Sequence, residues 1–238
     1  MEGAKSAVGS CELPTGFRVG EQIITQMTFR EMAGPEEDLL ASNMAVSQKL
    51  TMIMANCTKS IGDISDSNKI RKMMDEMVIS DRWFYLVQLR ILSLGSDYKF
   101  ITKCPECNHE DKVVFDLREV KVKKAPKADT LYKELTLPSG VSVRLKAADG
   151  LADAKIEKMA NESNAPTIGL FARLTEINNA PADLADVKQM SMRDRAFIRQ
   201  AIEEHEGQLD ESFSAQCPKC GHTYEGEMQL DGRTFFSP

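Results

Sequence analysis

The chain has 238 residues, 42% of them apolar and 28% charged, with 14 Gly and 9 Pro, which excludes collagen-like and disordered chains and leaves enough apolar surface for a core. Thirty Lys and Arg against 36 Asp and Glu give a net charge of -6, so the surface as a whole repels phosphate backbones and anionic lipid headgroups. The polar start MEGAKSAVGSCELP lacks an apolar signal region, and the most hydrophobic stretch, 83–94, is cut by Gln88, Arg90 and Ser93, so neither a signal peptide nor a membrane span is expected.

In chain order, residues 1–12 read as an N-terminal tail. Leu13-Pro14-Thr15-Gly16 predicts a turn between short extended pieces, and 22–32 carries strand-forming Ile, Thr and Phe. Pro35 suits a first helical position, with Glu36, Glu37 and Asp38 at the positive end of the helix dipole. An apolar pattern through Leu39, Leu40, Met44, Leu50, Ile53 and Met54 continues that helix. A second helix is expected over 67–77, and a third from a cap at Ser80 or Asp81 to Gly95. Val113, Phe115 and Leu117 then alternate as a strand.

Lys121, Lys123, Lys124 and Lys127 place a solvated basic linker at 121–134. Leu135-Thr136-Leu137 and 141–145, joined by Pro138-Ser139-Gly140, predict a hairpin. Helices follow at 151–162, 167–177 and 191–206, the last capped by Ser191 with Asp194 three residues on. Met228 and Leu230 would form an outgoing strand, and 231–238 an aromatic tail. Phe235 and Phe236 are adjacent and cannot both enter one sheet face, so one docks back on the body or meets a partner. The methionines at 44, 52, 54, 73, 74 and 77 and the lone Trp83 are read as helical core.

Of the six cysteines, four form two C-x-x-C pairs, Cys104-Pro-Glu-Cys107-Asn108-His109 and Cys217-Pro-Lys-Cys220-Gly221-His222. Two residues between thiols let both sulfurs face one ion at about 2.3 Å, while Asn108 or Gly221 takes a left-handed turn. The matching flanks predict one structural Zn2+ held by Cys104, Cys107, Cys217 and Cys220; a redox pair or two unrelated thiol pairs are the alternatives. His109 and His222 are left outside the ligand set, and Cys11 and Cys57 read as a tail thiol and a core residue. A closed four-thiolate site has no open position for water or substrate. No H-E-x-x-H, Walker A, G-x-G-x-x-G, G-x-S-x-G or EF-hand pattern exists, so no catalytic residue is assigned.

Displacing the sequence on itself by 113 residues superposes the two cysteine pairs. It also puts Asp81-Arg82-Trp83-Phe84 on Asp194-Arg195-Ala196-Phe197, Asp97 on Asp210, Phe100 on Phe213 and Leu117 on Leu230. Upstream the register slips by 11 residues and Leu13-Pro14-Thr15-Gly16 meets Leu137-Pro138-Ser139-Gly140. The expected fold is therefore α+β but mainly helical: two duplicated halves, 13–120 and 135–230, each a β-hairpin, helices and a zinc knuckle, joined in a pseudo-twofold at a shared, zinc-ribbon-like site of four cysteines.

The L-P-[TS]-G opening, the two C-P-x-C knuckles, the Asp194 to Phe197 helix and the Phe235-Phe236-Ser237-Pro238 ending resemble the baseplate hub protein family of contractile-tailed phages. The resemblance implies a baseplate hub subunit or hub assembly chaperone, assembled in the host cytoplasm and residing in the virion tail baseplate or a related injection machine. It also implies other baseplate hub, spike or tail-tube proteins as partners, and no nucleic acid, membrane or small-molecule substrate. A zinc-ribbon nucleic-acid-binding or regulatory protein is the competing reading of the same knuckles, against which the net charge argues.

Overall fold

In the computed structural model, which describes residues 6–228 and 235–236, the chain opens on two long strands, Val8–Val19 (β1) and Gln22–Arg30 (β2), paired antiparallel. The register shifts between Glu12 and Phe17, so the predicted turn at Leu13 to Gly16 is a bulge inside β1. Gly16 sits there at φ +74, where an added Cβ would come within 2.6 Å of the Ile24 carbonyl oxygen. Because β1 begins at Val8, residues 8–12 of the stretch read as a tail are strand, and Cys11 faces Met27 across the ladder.

The first helical pattern is broken in two, Gly34–Ala41 (α1) and Val46–Cys57 (α2). Thr58–Ile61 (β3) leaves α2 directly and adds to β2, completing a three-stranded sheet in the order β1-β2-β3. Ser67–Glu76 (α3), capped by Asp66, and Ile79–Leu94 (α4), ended by Gly95 at φ +89, follow. Then come Asp97–Lys103 (β4) and Glu110–Asp116 (β5), a two-stranded ribbon closed by the first knuckle. After a 3-10 turn at Leu117–Glu119, Lys121–Lys124 (β6) occupies the expected linker.

Tyr132–Thr136 (β7) and Ser142–Lys146 (β8) form the predicted hairpin, followed by Gly150–Met159 (α5) and Ala165–Arg173 (α6). Leu174–Ile177 (β9), expected as the end of a helix, instead pairs with β8, and Ala180–Pro181 (β10) extends the sheet to the order β10-β9-β8-β7. Leu184–Gln189 (α7) and Met192–His205 (α8) precede Gln208–Asp210 (β11), which pairs with β6. Lys123 meets Asp210 of β11 at 3.1 Å, so the basic segment is paired as a strand while Lys121, Lys123, Lys124 and Lys127 stay exposed to solvent. Ser212–Gln216 (β12) and Thr223–Glu227 (β13) form the second ribbon. Leu230 lies outside the described residues.

The expectation of a mainly helical protein is corrected: about 39% is helix and 33% strand, in many antiparallel sheets. The strands escape a periodicity reading because β3 and β9 have four residues each and start where a helix stops. One hairpin, a third strand returning onto it, two further helices and a knuckle ribbon occur in that order twice.

Two apolar cores result. The larger gathers Met27, Phe29, Ile53, Met54, Met74 and Tyr85 between the first sheet and α2 to α4, and extends to Phe213 and Tyr224 of the second ribbon. The smaller joins Leu145, Leu174, Val187 and Ile198. Of the methionines assigned to core, Met54, Met74 and Met77 are buried, while Met44 is 36% exposed. Where the halves meet, α5 packs on α2 and α3, the Glu157 carboxylate accepts from the Val46 and Ser47 amides, and Ile79 donates to the Ala148 carbonyl.

Candidate metal centre

Each knuckle is built by its backbone. The Asn108 amide donates to the Cys104 carbonyl and the Cys104 amide to the His109 carbonyl, both at 2.9 Å. Gly221, Cys217 and His222 repeat the two bonds at 2.9 Å. Asn108 (φ 54) and Gly221 (φ 74) take the left-handed conformation that turns the chain back under the sulfurs. The ribbons carrying the knuckles are paired in one register: Phe100 faces Val113 in the first, and Phe213 faces Gly226 in the second.

The sulfurs meet crosswise. Cys104 Sγ lies 3.7 Å from Cys220 Sγ, Cys107 Sγ lies 3.7 Å from Cys217 Sγ, and all four are within 4.8 Å of one another. A disulfide would need about 2.05 Å. Four arms of about 2.3 Å around a tetrahedral ion put the sulfurs about 3.8 Å apart. The donor set therefore fits a thiolate-bound ion whose four positions are all filled by sulfur, with Cys104 and Cys217 buried, Cys107 half-buried and Cys220 exposed. Phe100 and Phe213 stack edge to face at 4.9 Å beside it, and the Tyr224 hydroxyl donates to Asp111 Oδ2 at 3.0 Å across the same contact.

The electrostatics agree with a shared site. Burial opposes ionisation of Cys217, but amide hydrogen bonds from Cys220 and Lys219 outweigh it and bring the thiol down to about 7. At Cys220 the His222 amide favours the thiolate, yet burial and the neighbouring thiols push it up to about 12. One thiol ionises readily and the next resists, the behaviour of thiols hydrogen-bonded to one another at a single site. Among the described residues no other group of three or more Cys, His, Asp or Glu has ligand geometry, and neither His109 nor His222 joins this one.

Residues 19–236, nearly the whole chain, match the family of T4 bacteriophage base plate proteins. The chain belongs to that family. No curated protein and no solved structure matches it. As a base plate protein it is a structural component of the phage tail baseplate and interacts with other baseplate or tail proteins. Among its described residues no helix is long and apolar enough to cross a membrane.

The other repeated motifs of this base plate protein are joined in space, a link that the sequence did not disclose. The β1 bulge leaves the Thr15 and Gly16 amides without a strand partner, and the Asp81 carboxylate takes both, at 3.0 and 2.8 Å. In the second half Asp194 accepts from Ser139 N at 3.1 Å. Asp81 is thus not the expected cap of α4, whereas Ser191 does cap α8. The following arginines match too: Arg82 donates to the Met74 carbonyl and Thr51 Oγ1, Arg195 to the Val187 carbonyl and Thr167 Oγ1. The D-R dipeptide is therefore a fastener between hairpin, middle helices and last helix, and the shared order of L-P-[TS]-G and D-R was its trace in sequence.

Phe235 and Phe236 are both buried. Phe235 lies edge to face with Trp83 at 6.0 Å, and its carbonyl accepts from Arg90 Nε at 2.7 Å. Arg90 also lies 5.2 Å from the Tyr98 ring centre and 5.6 Å from that of Phe235. Both rings pack on the chain's own core, the first of the two alternatives that the sequence left open. Cys57 is buried and Cys11 half-buried, and burial pushes both thiols up to about 12, the state of unreactive core cysteines.

Proposed function

We propose that this base plate protein is a non-enzymatic component or assembly factor of the baseplate hub, stabilised by one structural Zn2+ on Cys104, Cys107, Cys217 and Cys220. The observation that carries the reading is the crosswise sulfur set, Cys104 to Cys220 and Cys107 to Cys217, both at 3.7 Å. Such a set leaves no coordination position for a reactant, so the ion crosslinks distant parts of the chain instead of performing chemistry. Structural zinc contributes roughly 10–16 kcal/mol in small peptides, more than many domains have in total, so metal binding would dominate stability.

The two halves, 13–120 and 135–230, are read as duplicated units that each supply one knuckle. Their repeated Asp-Arg fasteners and the equal register of the ribbons support this. The hub placement rests on family membership together with the resemblance carried by the knuckles and the aromatic ending. Hub, spike and tail-tube proteins are then the expected contacts, with assembly in the host cytoplasm. The test is copurification: antibody to the chain should retain hub or tail-tube proteins from assembled tails, and a chain that stays unattached throughout infection would overturn the placement.

A further inference from the structure

A cleft of about 530 Å³ lies where the end of β1, α3 and the start of the second half meet. One side is apolar, made by Phe17, Ile64, Met73, Met77 and Leu131. Arg18, Lys69 and Lys72 from the first half and Lys146 from the second line it as well, against one carboxylate, Glu76. Lys72 is shared with Glu76 and Lys146 with Asp149, but Arg18 and Lys69 have no ion pair among the described residues. In a chain of net charge -6 this is a local reversal of sign.

The reversal is not a by-product of the fold. The second half has a cleft of about 440 Å³ at the corresponding place, where Asp186, Gln189 and Met190 stand 113 residues after Met73, Glu76 and Met77. Its charged lining is Asp186 and Asp194, with no Lys or Arg. Two equivalent clefts thus differ in charge, and only the first combines exposed cations with an apolar wall.

We propose that the first cleft receives an acidic peptide segment of a neighbouring protein, an apolar side chain lying against Phe17 and Met73 and carboxylates facing Arg18 and Lys69. The apolar wall offers nothing to a phosphate backbone, and the rest of the surface repels one, so a protein segment is the better match. Because Leu131 and Tyr132 come from the linking segment 121–134 and Lys146 from the second half, docking here also ties the two halves together. The proposal depends on neither the hub placement nor the metal.

It is tested by fluorescence anisotropy of a labelled, end-blocked peptide of alternating leucine and glutamate titrated with the full chain. The expected result is saturable binding, weakened about tenfold or more in Arg18→Glu/Lys69→Glu and in Met73→Glu, and absent for the peptide with lysine in place of glutamate. All changed positions are exposed or half-buried, and the charge-reversed pair decides the matter if Met73→Glu fails to fold. Absence of saturable binding, unchanged binding by the charge-reversed pair, or a single-stranded DNA oligomer bound as tightly as the peptide would overturn it.

Discussion

Tyr224 donates its hydroxyl to Asp111, 3.0 Å away, and Asp111 stands 113 residues before it at the equivalent place in the other ribbon. Asp111 faces Thr102 in its ribbon and Tyr224 faces Ala215 in its own, so the bond joins like positions across a local twofold. Beside it Phe100 meets Phe213, again 113 residues on, and Cys104 with Cys220 is matched by Cys107 with Cys217. The knuckles therefore meet face to face through equivalent residues, and the tyrosine-carboxylate bond breaks the symmetry at its centre. Removing it as Tyr224→Phe should cost about 1 kcal/mol, and Asp111→Ala should cost almost nothing further in that background. Additive losses in a denaturant double-mutant cycle would contradict a direct bond.

Asp81 predicts a pH dependence. Burial raises its carboxyl to about 6, and the Gly16 and Thr15 amides only partly offset that rise. A folded-state value above the unfolded one means that the folded chain holds the proton longer. Asp81's contribution to stability is then most favourable below about pH 4 and declines as pH rises to about 6. The shift from 3.8 to about 6 corresponds to about 3 kcal/mol in all. Urea melts of wild type and Asp81→Asn across this range should differ in slope by that contribution, and parallel pH profiles would refute it.

Gly150, at the start of α5, packs on Arg82 where the halves meet. An added Cβ would come within 2.5 Å of Arg82 Nη1 and 2.9 Å of the Asp75 carbonyl oxygen, whereas Gly34 at the start of α1 has nothing within 4 Å. Gly150→Ala should destabilise the chain by about 1–3 kcal/mol, and Gly34→Ala by less than about 0.5 kcal/mol. Equal effects in denaturant unfolding would mean that α5 does not press on α3 and α4 as described.

Phe235 contributes to stability through Trp83, Tyr98 and Arg90. Phe235→Ala should cost about 3–5 kcal/mol, the range for emptying a buried aromatic site. A thermal or denaturant midpoint left unchanged by the substitution would place the ring outside the core.

Much of the candidate site was legible because its geometry is local. Two residues between thiols, a left-handed residue after the second thiol and a histidine carbonyl closing the turn are fixed by short-range backbone bonds, and Asn108 and Gly221 behave accordingly. The repeated D-R also announced itself, but its purpose did not. Asp81 reads as a helix cap because Ser80-Asp81 precedes an apolar run; its real partners, Thr15 and Gly16, are 66 and 65 residues away and become donors only when β1 bulges. The helix-strand balance was misread for a related reason. Leu174 to Ile177 continues the apolar pattern of the helix before it and Thr58 to Ile61 follows α2 without a break, and only pairing with β8 and β2 makes them strands.

The central claim, one metal shared by two knuckles 113 residues apart, is tested most directly by elemental analysis and native mass spectrometry of the purified chain. One zinc per chain is predicted, abolished by Cys104→Ser with Cys217→Ser, with unfolding on chelation. Two metals per chain, or none with all four thiols reactive, would contradict it.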